Sequence, residues 1–267
     1  MVTLSYSYTT VNSHVRILVI RYLILDYGSP MTISAVFLDW FNTIIHMEPD
    51  RHEVCVRVCH DLGIEVDPLK AARGIYAADR ECPEGRPVVM SDETPVEAYV
   101  RYNNIVLREC GIPEPDTKTS LRMLAALKGY AKDMGFAPYR DAYSAVRSLK
   151  ARGMVVGILS NVDGSLEPYI KQVGLADSID FSVTSSEVEG NGKPEAPIFL
   201  EALKRAGCEA GAAVHVGDEP FSDAMGASRV GISPVLLDRL GVHADILDYP
   251  RINTLDDLAG VLDSLRA

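Results

Sequence analysis

ISAVFLDWFNT, residues 33–43, is the stretch from which the fold is read. Ile33 to Leu38 is a short apolar run, read as a buried strand. It ends on Asp39, followed at once by Trp40, Phe41, Asn42 and Thr43. Ligands of an open α/β sheet sit outside the carboxyl ends of its parallel strands, so a carboxylate at such an exit is placed for chemistry. Asp39 is weak on its own, because Asp also ends strands in plain turns. Thr43, four residues on, and Asn42, suited to a sharp turn, strengthen the reading of Asp39 as a nucleophilic carboxylate, with the Thr43 hydroxyl turned to the substrate.

Outward from this strand, two textures alternate. Residues 47–137 carry only helical patterns, in four segments. One of these opens with Asp67 as N-cap and Pro68 at the first helical position. Residues 82–91 are read as a loop. From residue 138 onward apolar runs alternate with amphipathic segments. Strands are expected at 154–159, 179–183, 212–218 and 232–238, and Pro234 suggests that the last is an edge strand. Strands alternating with helices predict a doubly wound parallel sheet with right-handed crossovers. The expected organisation is an α/β core over 31–46 and 138–267, with a helical insert over 47–137.

Three later segments converge on the exit of the first strand. Ser160-Asn161 follows the second strand. There a hydroxyl and backbone N–H groups suit one substrate oxygen, although an isolated Ser-Asn is more often a turn. Lys193, in GNGKPEAPIF, precedes a helix and is read as a point charge for an anionic group. Its bland alternative is a solvated loop lysine. GDEPFSD, residues 217–223, is the most specific piece: Gly217 for a tight turn, Asp218 leaving the strand, and Asp223 five residues later. Two carboxylates aimed at Asp39 repel unless a cation lies between them. Mg²⁺, which takes carboxylate and carbonyl oxygens, is the natural choice. Helix capping would explain Asp223 but not Asp218.

Taken in order, these four motifs resemble those of the haloacid dehalogenase-like (HAD) superfamily, over about 33–45 and 138–240, and the helical insert falls where that family carries its helical cap. The resemblance implies a Mg²⁺-dependent phosphatase with catalytic residues Asp39, Thr43 and Lys193. Asp39 would attack a phosphoryl group to form an aspartyl-phosphate. Ser160, Asn161 and Lys193 would bind substrate. The cation would be held by Asp39, the main-chain carbonyl of Phe41 and Asp218, supported by Asp223. One position departs from the pattern: Phe41 stands where the phosphatases carry a second aspartate. The missing acid would otherwise contribute on the order of 10²–10⁴ in rate. Activity is therefore expected to be slow, limited to leaving groups that need no proton, or rescued by a group from the cap. The alternatives are a 2-haloacid dehalogenase-like C–X hydrolase, whose chemistry tolerates an aromatic residue there, and a weakly active member that binds a phosphorylated ligand. By resemblance the cap selects the substrate, a small phosphorylated metabolite. Arg73, Tyr76, Arg80, Arg86, Tyr99 and Tyr102 are its candidate contacts.

Composition sets the outer bounds. The 267 residues suffice for one large domain with an insert, and a net charge of −11 argues against nucleic-acid or anionic-membrane partners. Five cysteines without a CxxC pair favour free thiols in a reducing cytoplasm. Cys55 and Cys59, flanked by His52 and His60, share an apolar helical face with Val54, Val58 and Leu62. They are read as core rather than metal ligands. The run at 15–27 is too short and too charged to span a membrane. Residues 1–30 are expected to lie outside the fold, as an extension or an upstream mis-start.

Overall fold

The computed structural model describes residues 4–12, 15–22, 32–83, 94–190 and 192–265. Within the N-terminal 30 residues, β1 (Leu4–Asn12) and β2 (Val15–Tyr22) pair with each other as an antiparallel hairpin, separate from the main sheet.

The opening apolar run becomes β3 (Ala35–Asp39), every residue of which is buried. Its side chains alternate between two cores. Val36 and Leu38 join one cluster, while Ala35 and Phe37 join the other. Both faces are therefore covered, which is why the run is continuously apolar rather than alternating. Chain order then gives β4 (Ile45–Glu48), four helices α1 (Arg51–Asp61), α2 (Pro68–Glu81), α3 (Val96–Glu109) and α4 (Thr117–Tyr130), and β5 (Gly135–Pro138). Next come α5 (Arg140–Ala151), β6 (Val155–Ser160), α6 (Glu167–Gln172), β7 (Phe181–Thr184), α7 (Ala196–Ala206) and β8 (Ala213–Gly217). The chain closes with α8 (Gly226–Arg229), β9 (Ser233–Leu237), β10 (Arg251–Ile252) and α9 (Leu258–Ser264).

The six-stranded sheet runs β10-β9-β8-β3-β6-β7, all parallel, with β3 at its centre. The carboxyl ends of β3, β6 and β8 thus lie side by side, bringing Asp39, Ser160 and Gly217 to one edge. Helix α5 lays the stripe Ala142, Ala145, Val146 and Leu149 on one face, where α9 adds Leu258 and Leu262. Helix α7 covers the other face with Ile198, Phe199, Ala202 and Leu203. Each such fully buried Val, Leu, Ile or Phe contributes roughly 1.5–3 kcal/mol.

Helices α1 to α4 enclose an apolar cluster of their own, which includes Val54, Cys55, Val58, Cys59, Tyr102 and Val106. Both thiols are core groups, as their helical face implies. Asp67 caps α2 by accepting from the Lys70 N–H, with Pro68 following. Arg86 and most of the 82–91 loop lie outside the described residues.

Two features differ from the sequence reading. The helical block is entered and left through an antiparallel pair, β4 with β5, in the register Ile45↔Pro138 to Glu48↔Gly135. Four residues per strand are too few for a readable alternation. The strand at 233–237 is not an edge, because β10 pairs with it at Leu236 and Leu237. Pro234 sits one turn of the pleat earlier, beyond the reach of β10, so its missing N–H costs no ladder bond.

Candidate active site

The backbone reverses immediately after β3. Asn42 takes a left-handed φ of 61°, which Asn tolerates better than most residues. The turn is closed by Ile44 and Ile45 N–H groups on the Trp40 carbonyl and by the Asn42 N–H on the Ile45 carbonyl, each 2.7–3.0 Å. These bonds pass over the Phe41 carbonyl.

Asp39, 7 % exposed, meets three buried groups at the sheet edge: Lys193, Asp218 and Asp223, each 2–6 % exposed. The Lys193 ammonium donates to Asp39 Oδ1 and, over 2.6 Å, to Asp223 Oδ1. Carboxylate oxygens of Asp39, Asp218 and Asp223 all lie within 4.8 Å of one another. Three carboxylates against one ammonium leave a formal surplus of two negative charges in a buried space.

That surplus is visible in the titration of the site. Burial pushes the Asp39 carboxyl up to about 6; Lys193 pulls it back and Asp223 adds to the rise. Burial, then the charges of Asp39 and Asp223, drive Asp218 well above the carboxylate range. Hydrogen bonds from Tyr76 and Asn42 oppose this. Asp223 is also penalised by burial, but Lys193 and His215 outweigh it and hold the carboxyl well below its ordinary value. Burial disfavours the Lys193 ammonium, yet Asp223 and Asp39 keep it above its usual range. A divalent cation that takes oxygen ligands fits this donor set in charge and in ligand type.

Several expected residues have roles other than those the sequence suggested. The Asn161 amide engages the Lys193 backbone, donating from Nδ2 to the carbonyl and accepting the N–H on Oδ1, both at 2.7 Å. Asn161 thereby fixes the stem of Lys193. Gly192 allows the lock, since a Cβ there would come within 2.4 Å of Asn161 Oδ1. Thr43 is fully buried and its hydroxyl has no hydrogen-bond partner among the described residues. Its carbonyl instead accepts from Arg239. Gly217 is needed for space rather than for the turn, because a Cβ would lie 2.3 Å from the Asp223 carboxyl carbon. Asp223 spends Oδ1 on Lys193 and His215, and takes the Glu219 N–H on Oδ2 at 3.1 Å, so it anchors the lysine. Ser160 is buried at the end of β6, beside Asp39 in the sheet.

Three contributors were not singled out for these roles. His215, 0 % exposed on β8, bonds Asp223 Oδ1 at 3.0 Å. Burial lowers its pKa, against the pull of Asp223, so the ring is neutral. A lone His inside the apolar run AAVHV was the available signal, since a buried polar group needs a partner. Arg239 donates to the Thr43 carbonyl at 2.9 Å and the Asn42 carbonyl at 3.4 Å. Its other N–H groups grip Asp141 at 2.7 and 3.0 Å, and it stacks 3.7 Å from the centre of the Tyr139 ring. Tyr76, on α2 of the helical block, reaches across to Asp218 Oδ2 at 2.8 Å, beside Asn42 Nδ2 at 3.0 Å. Its ring meets His243 edge-on at 5.0 Å. Of the candidate contacts on the block, Tyr76 touches the acidic centre, whereas Tyr102 turns inward to Arg51 and Asp79.

Comparison with known proteins adds the family. Residues 33–231 match the sequence profile of the haloacid dehalogenase-like hydrolases. The chain belongs to that family. It is 31% identical over 228 residues to haloacid dehalogenase-like hydrolase domain-containing protein 3 of Danio rerio, covering 84% of this chain and 92% of that protein. It is 27% identical over 209 residues to ribulose-1,5-bisphosphate 5-phosphatase of Halopiger xanaduensis, covering 77% of this chain and 84% of the relative. Among solved structures, the HAD phosphatase of Thermococcus onnurineus superposes with a TM-score of 0.51 at 24% identity, over 88% of this chain and all of that one. The protein is thus a HAD-like hydrolase with phosphatase relatives. Among the described residues, no helix is long and apolar enough to cross a membrane.

Proposed function

We propose that this HAD-like hydrolase is a Mg²⁺-dependent phosphatase of small phosphorylated metabolites and that Asp39 is its nucleophile. The observation that carries the reading is the buried cluster at the sheet edge: Asp39 against Lys193, with Asp218 in reach and two negative charges in surplus. Asp39, the Phe41 carbonyl and Asp218 would hold the cation, with Asp223 behind them keeping Lys193 in place. The cation would supply charge neutralisation at the phosphoryl oxygens. Asp39 attacks phosphorus, Lys193 stabilises the anionic oxygens, and Ser160 is placed to bind one of them. Water then releases phosphate from the aspartyl-phosphate. The helices between β4 and β5 act as the cap, and Tyr76 is its contact with the core. The same acidic cluster argues against the dehalogenase alternative, whose carbon–halogen chemistry needs no cation. Five free thiols favour a reducing cytoplasm as the compartment.

The test is phosphate release from an aryl phosphate by the full chain. Turnover is expected with Mg²⁺, and about 10³-fold less after chelation or in Asp39→Asn. Equal rates with and without Mg²⁺ would contradict the reading.

A further inference from the structure

Phe41 and the wall beyond it say what kind of leaving group this site can release. The Phe41 ring meets Phe136 of β5 edge-on, with centroids 6.2 Å apart, and Phe136 is 58 % exposed. An aromatic pair is thus presented two residues beyond Asp39, where the side chain can donate no proton. Phe136 is also part of the wall of a cavity of about 210 Å³ inside the helical block. Met47, Met123, Met134 and Ile75 supply much of the remaining wall. Thioether and aliphatic side chains of this kind adapt to flat, polarizable groups. The one formally charged group lining the cavity among the described residues is Arg51, and its charge is already met. Its guanidinium makes two bonds to Asp79, at 2.6 and 2.8 Å, and a third to Tyr102 at 2.5 Å. The cavity therefore offers mainly dispersion contact and no unmatched charge, with the buried Asn103 Oδ1, which has no hydrogen-bond partner among the described residues, as a polar point in its wall. An apolar cavity of only ~150 Å³ is enough to hold benzene.

We propose that this cavity receives the leaving group of the substrate, and that the substrate class is an aryl phosphate. The inference rests on the phosphatase reading and narrows it. The chemistry balances without a proton donor at residue 41. An Asp39 oxygen bonds to phosphorus, and the P–O(aryl) bond breaks with its electron pair left on a phenolate. The phenolate is stable enough to leave unprotonated, because phenols ionise near pH ~10, whereas an alkoxide needs a proton at departure. Solvent protonates the phenolate afterwards. A water oxygen then bonds to phosphorus, the P–O(Asp39) pair returns to the carboxylate, and the water's protons pass to phosphate and solvent. The sum is ester plus water to phenol plus inorganic phosphate.

The experiment compares three substrates on the full chain with Mg²⁺: 1-naphthyl phosphate, glycerol 2-phosphate and acetyl phosphate. The wild type is expected to favour naphthyl over glycerol phosphate by about 10² or more in kcat/KM, the scale of a missing general acid. Filling the cavity with Met134→Trp, or with Ile75→Phe, is expected to lower the naphthyl-to-acetyl ratio of kcat/KM by about tenfold. Equal turnover of naphthyl and glycerol phosphates by the wild type would overturn the inference, and this readout does not depend on how the variants fold. A ratio unmoved in a variant that still cleaves acetyl phosphate would overturn it too. Loss of all three activities in the wild type would instead bring down the phosphatase reading itself.

Discussion

At the residue scale, the site is a balance of buried charge. Asp39 and Asp218 are held protonated more readily than in an unfolded chain, whereas Asp223 is ionised throughout the working range. The sign of the consequence is fixed by linkage. A carboxyl raised in the folded state favours folding while both states keep the proton, and that advantage is lost as pH climbs through the folded value, here about 6 for Asp39. The contribution of Asp223 is already complete above its unfolded value and does not change over this window. Mg²⁺ binds the ionised carboxylates, so it should raise the melting temperature much more at about pH 7.5 than at about pH 5. Calorimetric melts with Mg²⁺ and with chelator test this, and equal shifts at the two pH values would rule out a cation between these carboxylates. Asp39, Lys193, Asp218 and Asp223 were legible as a set because each lies at a strand exit or helix start. The duties of Asn161 and Thr43 were not. Which atom an amide grips, and whether a hydroxyl faces cleft or core, follow from tertiary packing that no spacing encodes.

At the element scale, the turn after β3 is held by a residue just past the exit of another strand, β9. Arg239, just past β9, bridges Asp141 at the start of α5 to the Asn42 and Thr43 carbonyls. Asp141 also accepts the Thr254 hydroxyl and the Leu255 N–H, so the clamp ties in the chain just before α9. Arg239→Ala leaves the largely buried Asp141 without its counter-charge, so a loss of about 3 kcal/mol in stability is expected. A fall of about tenfold or more in kcat should accompany it as the nucleophile's turn loosens. Arg239→Lys should rescue little, because a lysine cannot make the forked contact. Chemical denaturation alongside steady-state kinetics reads both, and an unchanged kcat in Arg239→Ala would remove the clamp from the account. That the sheet is parallel was readable from alternating apolar and amphipathic runs. The β4–β5 entry pair escaped because eight residues split across a 90-residue insert leave no local pattern, and only their antiparallel register reveals it.

At the scale of the whole molecule, a parallel sheet gathers charged groups at one edge, and a helical block sets a tyrosine against them and encloses a cavity of its own. Tyr76 binds Asp218 across the gap between the two parts, so the acidic centre and the block face each other directly. Phe41 is where the two parts meet chemically. Its ring meets Phe136 of β5 edge-on; on the proposed reading its carbonyl would serve the cation while its side chain offers no proton. The central claim is that Asp39 carries the phosphoryl group in transit. Acid quenching of the wild type during turnover of an aryl phosphate with Mg²⁺, followed by peptide mass spectrometry, measures this directly. The account predicts a phosphoryl group on Asp39, absent from Asp39→Asn and from chelated enzyme. Sustained turnover by Asp39→Asn, or a phosphoryl group found on any other residue, would contradict it.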